Sequence, residues 1–133
     1  MDDLLNSGIR NAVRLLETYG EFFPFGVAMC ADGEIALVYP DLREKRPPSD
    51  VVIQETVRAL SAGVRNGEYV TTGVVSDVRL RDRISGECRD AIRVDVEDRE
   101  SAPVTCYLPY SRDGPRVKPG TIQAEAGRTV VFR

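Results

Sequence analysis

The sequence contains no histidine and no tryptophan, and only two of its 18 basic residues are lysines. Without histidine there can be no Ser-His-Asp triad, no imidazole general base and no histidine-ligated metal. None of the motifs G-x-G-x-x-G, G-x-x-x-x-G-K-[ST], G-x-S-x-G or H-E-x-x-H occurs either, so nucleotide binding by a glycine-rich loop, α/β-hydrolase chemistry and zincin chemistry are not indicated. We therefore expect a protein that is not an enzyme and holds no metal or cofactor.

The chain also lacks a strong excess of either charge and lacks a long apolar run. Its 133 residues have a net charge of −3 and 42% hydrophobic residues, typical of one globular domain over residues 1–133. No basic field is present to hold a nucleic acid. The longest nearly uncharged stretch, 22–31, is ten residues long, whereas a bilayer span needs roughly 20. We expect neither a nucleic-acid nor a membrane partner.

The acidic start Met1-Asp2-Asp3 is unlike a signal peptide, which begins with positive charge. This predicts a cytoplasmic location. The strong preference for arginine over lysine indicates a GC-rich coding sequence and hence a bacterial source.

Cysteine is scarce, and its three copies form no C-x-x-C pair, which fits neither a disulfide framework nor a zinc site. Cys106 alternates in step with Val104 and Leu108, so we expect it to be buried and reduced. Cys30 is expected to pack within the first hairpin. Cys88 lies closer to a loop and is the cysteine expected to react.

Periodicity predicts two helices. Residues 2–19 repeat apolar side chains at helical spacing, and Gly20 follows as a C′ residue. The second helix is expected to begin with Ser49 as its N-cap and to end at Gly63.

From Glu68 onward the apolar period changes to two, which predicts three antiparallel strands. Residues 111–120 resemble a loop in composition, and a short last strand is expected over 129–132. The element order is α-β-β-α-β-β-β with a possible terminal strand. Because hairpins dominate, we predict the α+β class, with an antiparallel sheet of about five strands. Both helices are expected on one side of it, in a two-layer sandwich.

Asp32-Gly33 between two apolar runs is a strong hairpin signal. A two-residue turn at this dipeptide would pair Val27 with Val38. Both faces of the hairpin are apolar, so two helices on one side of a two-layer fold would cover only one of them. The uncovered face is therefore a candidate contact surface for a partner.

Phe22, Phe23 and Phe25 form the densest aromatic group of the chain. Side chains alternate along a strand, so these three rings cannot all point to one face. Burial beneath the first helix explains part of the group, and we expect at least one ring to lie at a rim, an edge or an interface.

Pairing the three later strands so that one face stays apolar puts Asp77 opposite Arg93, and Arg93 beside Tyr107. Arginine can stack on the tyrosine ring, and both residue types are enriched at binding hot spots. An ordinary mixed sheet surface explains the row equally well. Asp77 with Asp95 and Glu97 is alternatively a carboxylate cluster for acid–base work or a cation, although the interleaved arginines favour charge pairing.

Several segments resemble a set of uncharacterised bacterial proteins of about this length, a resemblance that implies no activity. They are Glu21-Phe22-Phe23-Pro24-Phe25, Asp32-Gly33-Glu34, Asp90-Ala91-Ile92-Arg93-Val94 and Tyr107-Leu108-Pro109-Tyr110. The element order is similar to that of roadblock and profilin-like domains, in which two helices surround a five-stranded antiparallel sheet. Roadblock-like domains act as dimeric scaffolds and regulators of small GTPases, but a likeness of element order carries no function by itself.

The sequence therefore predicts a non-enzymatic cytoplasmic interaction module that forms a homodimer or binds another protein. Its candidate contact residues are Phe23, Phe25, Val27, Val38, Asp77, Arg93 and Tyr107. The alternative is a small-ligand-binding domain with a pocket between the helices and the sheet.

Overall fold

The computed structural model describes residues 2–42 and 45–133. Its elements are α1 (Asp2–Tyr19), β1 (Phe25–Cys30), β2 (Ile35–Val38), α2 (Ser49–Arg65), β3 (Tyr69–Arg81), β4 (Cys88–Asp98), β5 (Val104–Asp113), β6 (Arg116–Pro119) and β7 (Gln123–Ala126). All strand pairs are antiparallel, which confirms the α+β class with more strands than predicted. The sheet order is β2-β1-β3-β4-β5-β6, and β7 pairs with β5.

The two helices lie on opposite faces of the sheet, so the predicted two-layer arrangement is wrong and the fold has three layers. α1 packs on the side of Phe25, Val27 and Val75. α2 packs on the side of Ala28 and Val74. Because neighbouring residues of a strand point to opposite faces, these two sets of contacts are on opposite sides. The apolar composition of β1 follows, since a strand covered on both faces needs apolar residues on both.

The first helix ends where the sequence predicts. Gly20 has a φ of +82°, and its N–H donates to the Leu16 carbonyl at 2.8 Å. Arg112 of β5 adds its positive charge to this end by donating to the carbonyls of Leu16 and Gly20, at 3.3 and 2.6 Å. A Cβ at Gly8 would lie 3.0 Å from Val75 Cγ2, so this glycine allows the helix to approach the sheet closely.

The second helix begins one residue earlier than a Ser49 cap requires, because Ser49 is itself the first helical residue. Pro48 occupies the cap position and makes no side-chain cap hydrogen bond. The Pro48 carbonyl accepts the N–H groups of Val51 and Val52, at 3.1 Å each. The helix runs to Arg65, two residues past its predicted end. Its N-terminal end is therefore without a side-chain cap.

The first hairpin has a three-residue turn rather than the predicted two-residue turn. The Gly33 N–H donates to the Cys30 carbonyl at 2.9 Å, and the Cys30 N–H donates to the Glu34 carbonyl at 2.7 Å. Gly33 has a φ of +90°, as expected where a type I turn is followed by a left-handed glycine. The extra loop residue shifts the register by one, so Val27 pairs with Leu37 and not with Val38 as predicted.

The β3–β4 register also differs by one residue from the prediction, whereas the β4–β5 register is confirmed. Ser76 lies opposite Arg93, and Asp77 lies opposite Ile92. The first half of β3 is buried on both faces, so polar–apolar alternation does not define its phase. β4 and β5 do alternate, and Arg93 lies opposite Tyr107 as predicted.

The C-terminal quarter contains two corrections. Residues 111–120 are not a loop, because β5 continues to Asp113 and pairs with β6. Gly114 opens their tight turn with a φ of +62°, which only glycine adopts readily. Residues 129–132 are not a strand, since the last strand is β7. Residues 127–133, which we call the C-terminal strap, cross the α2 face of the sheet instead, and Val131 packs there against Leu60 and Val64.

The three cysteines differ in burial as the sequence suggests. Cys106 is buried, Cys30 is half-buried and Cys88 is exposed. Burial, followed by the nearby charge of Asp95, raises the pKa of the Cys106 thiol and lowers its thiolate fraction.

We expect a thiol reagent to label Cys88 in the native chain much faster than Cys106. Timed alkylation followed by peptide mass spectrometry measures both rates, and Cys88→Ser should remove the fast phase. Labelling of Cys106 as fast as that of Cys88, without denaturant, would contradict the buried position.

Candidate functional site

Two of the predicted contact residues belong to the core. Phe25 and Val27 are 0% exposed and pack in the cluster beneath α1. Each face of β1 is covered by a helix of the same chain, so the predicted need for a partner to cover one of its faces is wrong. Of the hairpin residues, Phe23 is exposed and Val38 is half-buried. Both lie toward the β2 side of the sheet.

Exposed aromatic side chains gather where α1 and β2 end. They line a depression of about 330 Å³, the aromatic groove, formed by Leu15, Tyr19, Glu21, Phe22, Phe23, Pro24, Tyr39, Pro40 and Leu42. Tyr19 is 70% exposed and Tyr39 is 53% exposed. The Tyr39 hydroxyl accepts a hydrogen bond from Asn11 Nδ2 at 2.6 Å, which fixes the ring. Exposed apolar surface rich in tyrosine is typical of protein contact sites.

The two edges of the sheet differ in composition. β2 forms one edge and reads Ile-Ala-Leu-Val, without a charged residue or proline. The far edge consists of β6 and β7, and it carries Arg116, Lys118, Pro119 and Glu125. Charges and proline at an edge prevent pairing with other chains. The far edge is therefore protected and the β2 edge is not.

The backbone of β2 also offers hydrogen-bonding groups to a partner strand. Residue pairs along an antiparallel ladder alternate between hydrogen-bonded and non-hydrogen-bonded, and the Cys30–Glu34 bond beside the turn marks a hydrogen-bonded pair. Ile35 and Leu37 therefore belong to non-hydrogen-bonded pairs, and their N–H and C=O groups point away from β1. Within residues 2–42 and 45–133, no strand pairs with β2 on that outer side. Leu37 is also 43% exposed.

A second depression, the polar cleft, lies between α2 and the sheet and measures about 770 Å³. It is lined by Pro24, Ser49, Ile53, Val57, Val74, Ser76, Asp77, Val78, Arg93, Asp95, Thr105, Tyr107, Glu125, Ala126, Gly127, Arg128 and Val130. A pocket between a helix and the sheet is what the ligand-binding alternative requires. Two of its lining residues, Arg93 and Tyr107, are among the contact residues predicted from the sequence.

Arg93 is the centre of the cleft floor. Its Nε donates to Asp95 Oδ2 at 3.0 Å and its Nη2 donates to Asp95 Oδ1 at 3.2 Å. Burial lowers the pKa of Arg93, but the hydrogen bond and charge of Asp95 outweigh it and raise the pKa above its usual value. The guanidinium lies 5.7 Å from the centroid of the Tyr107 ring, which confirms the predicted stacking. Thr105 Oγ1 donates to Asp95 Oδ1 at 2.7 Å and completes this network.

Asp77 does not belong to the row with Arg93 and Tyr107, because the register shift turns its side chain toward the α1 face. There it accepts a hydrogen bond from the Tyr110 hydroxyl at 2.8 Å. Burial raises the pKa of Asp77, and this hydrogen bond opposes the rise. Burial and the same hydrogen bond raise the pKa of Tyr110.

The predicted carboxylate cluster is not formed. Asp77 lies on one face of the sheet, while Asp95 and Glu97 lie on the other, where each has its own partners. Among the described residues no group of three or more histidine, cysteine, aspartate or glutamate side chains is placed to hold a metal ion.

Glu97 has a role that sequence reasoning missed. Its side chain is 2% exposed, and its carboxylate accepts the N–H groups of Val130, Val131 and Phe132, at 3.0, 3.1 and 3.4 Å to Oε1. Ser61 Oγ donates to the Val131 carbonyl at 3.2 Å. The buried carboxylate thus holds the C-terminal strap in place. Backbone N–H groups have no signature in the sequence, so only the position of an acidic residue in an apolar strand hinted at this role.

In the described part of the chain, neither helix has the length and apolar character needed to cross a membrane. Comparisons of the chain with protein-family models, with curated proteins and with solved structures found no match.

Proposed function

We propose that this chain is a non-enzymatic interaction module that forms a two-fold homodimer through the β2 edge and the adjoining aromatic groove. The observation that carries the proposal is the contrast between the two sheet edges: among the edge strands of the described residues, β2 alone lacks charge and proline. Proteins commonly protect their edge strands against pairing, so an unprotected edge favours a strand partner. The cytoplasmic location and bacterial source stay predictions from the sequence.

A second copy of the chain is the partner that best suits this edge. Two β2 strands can pair antiparallel about a two-fold axis, so that each supplies the same outward N–H and C=O groups. The paired strands would bring the exposed Leu37 side chains of both copies together and remove them from water.

The aromatic groove supplies the additional area that such a dimer needs. A specific interface buries about 1,200–2,000 Å² in total, which is more than two four-residue strands offer. Tyr39 directly follows β2, and Tyr19 and Phe23 lie beside it in the groove. The groove therefore extends the proposed interface on the α1 side of the sheet.

Leu37→Lys is expected to convert the dimer to a monomer that keeps its fold, because it places a charge at the centre of the paired edge. Size-exclusion chromatography with light scattering over a range of concentrations measures the mass. Ile122→Lys is the matched control, since Ile122 is 44% exposed but directly precedes β7 at the far edge of the sheet; this variant should stay dimeric.

A backbone variant separates edge pairing from side-chain effects. Leu37→Pro removes an N–H that points away from β1, so it should abolish the dimer while the far-ultraviolet circular dichroism is retained. If the wild-type chain is a monomer at high micromolar concentration, or if Ile122→Lys dissociates the dimer equally, the proposed function is wrong.

A further inference from the structure

The polar cleft is built from three separate parts of the chain. α2 supplies Ile53 and Val57, the C-terminal strap supplies Val130, and the strands supply a polar floor. Its volume of about 770 Å³ is within the range of roughly 300–1,000 Å³ found for small-molecule sites. One side of the cleft is thus apolar and the other can form hydrogen bonds, which suits an amphipathic ligand.

Two donors on the cleft floor have no acceptor among the described residues. Ser76 is 5% exposed and lines the cleft, yet its hydroxyl makes no hydrogen bond within residues 2–42 and 45–133. The hydroxyl is therefore free to form a hydrogen bond with a group in the cleft. Arg93 lies directly opposite in the neighbouring strand. Asp95 engages Nε and Nη2 of Arg93, and Nη1 donates to none of the described side chains or carbonyls.

The N-terminal end of α2 adds a third feature that favours negative charge. Ser49 begins this 17-residue helix and lines the cleft, and the helix has no side-chain cap. An uncapped helix N-terminus carries partial positive charge on its unpaired N–H groups. Asp50 in the first turn offsets part of this charge, but it does not line the cleft.

We infer that the polar cleft binds a small organic monocarboxylate. Its carboxylate would be received by the Ser76 hydroxyl, Arg93 Nη1 and the N-terminal end of α2, and its apolar body would lie against Ile53 and Val57. A multiply charged anion is disfavoured by the remaining charges. Leaving aside Asp77, whose side chain points to the α1 face, the acids Asp95 and Glu125 equal the bases Arg93 and Arg128 in number, so the cleft lining has no net positive charge to attract several negative charges.

The test uses octanoate as the probe and the ¹⁵N-labelled full chain as the target. Titration is expected to shift amide signals of Ser76, Arg93 and the first turn of α2 in a saturable manner. 1-Octanol has the same chain length and no charge, and it should bind at least tenfold more weakly, because it cannot form a charge-assisted hydrogen bond to Arg93.

Variants identify the groups that bind the carboxylate. Arg93→Gln should weaken octanoate binding about tenfold and Ser76→Ala about threefold to fivefold, in line with lost charged and neutral hydrogen bonds. Arg99→Gln is the matched control because Arg99 lies over the Phe132 ring, outside the cleft; it should bind as the wild type does. Ser76→Ala keeps the inference testable if Arg93→Gln does not fold.

Three results would overturn the inference: no saturable shift, equal binding of octanol, or shifts confined to the aromatic groove that Arg93→Gln leaves unchanged. The inference does not depend on the homodimer. Leu37→Lys should therefore bind octanoate like the wild type, and a failure of either proposal can be recognised without the other.

Discussion

Glu97→Ala is expected to lower the free energy of unfolding by about 3 kcal/mol, because it leaves buried N–H groups without an acceptor. The Glu97 carboxylate accepts hydrogen bonds from three consecutive residues of the C-terminal strap, Val130 to Phe132. Of these residues, Val131 is itself buried, so water cannot readily replace the lost acceptor at its N–H.

The expected loss includes the packing of the strap as well as its hydrogen bonds. Val131 belongs to the same cluster as Leu60, Val64 and Val74. If the strap detaches, this apolar surface becomes exposed on the α2 face. Glu97→Gln keeps one carbonyl acceptor without the charge, so we expect it to lose about half as much stability as the alanine variant.

Urea denaturation monitored by circular dichroism measures these differences. Glu100→Ala is the control, because Glu100 is exposed and lies just beyond the end of the same strand; it should change stability little. In a chain that ends at Gly127, Glu97→Ala should no longer destabilise the fold, since the carboxylate then has no strap to hold. Equal losses with and without the strap would show that Glu97 stabilises the chain in another way.

Val27→Asp is expected to unfold the chain, with a loss of about 4 kcal/mol or more, because it puts a carboxylate into an apolar site without a partner. Val27 is 0% exposed beneath α1. Its Cγ1 would be 3.3 Å from a Cβ at Gly8 and 2.9 Å from a Cβ at Gly73, which shows how little space surrounds it. Neither water nor a counter-charge can reach the new carboxylate without opening the core.

Val38→Asp is the informative comparison, because Val38 is half-buried at the edge of the sheet. Its carboxylate can remain partly hydrated, so we expect a folded chain that is destabilised by about 1–2 kcal/mol. Circular dichroism and urea denaturation distinguish the two variants. A Val27→Asp chain that is folded and monomeric would instead support the original prediction that Val27 contacts a partner.

Local patterns were sufficient to predict several parts of the fold. The apolar spacing of residues 2–19 and the position of Gly20 identified α1 to the residue. The alternation along β4 and β5 gave their register, and with it the contact between Arg93 and Tyr107. These features depend on neighbours along the chain or on strands with one polar and one apolar face, so they leave a readable period.

Other parts of the fold show no regular alternation of polar and apolar residues in the sequence. The first half of β3 is buried on both faces, and apolar residues therefore occur at odd and even positions alike. A pattern without alternation is compatible with two registers, which is why Asp77 was placed opposite Arg93 and the cluster with Asp95 and Glu97 was expected. The Asp32-Gly33 dipeptide likewise fits two-residue and three-residue turns.

The candidate sites could be predicted only in part, because their positions depend on how the helices pack on the sheet. The sequence showed an aromatic group and an Arg–Tyr pair, but it could not show which face each helix would cover. That choice decided that Phe25 and Val27 belong to the core, and that Arg93 and Tyr107 line a cleft beside α2. The partners of Glu97 are backbone N–H groups about 33 residues away in the sequence, and no residue type predicts such a contact.

The sequence by itself therefore determined the element order as far as β5, the α+β class and the pairing of β4 with β5, because these follow from local periodicity and turn chemistry. The tertiary structure alone decided the three-layer arrangement, the unprotected β2 edge and the strap on Glu97. These depend on which surfaces meet across the sheet. Two faces of similar hydrophobicity gain nearly the same free energy from either helix, so only the complete packing of the chain distinguishes between them.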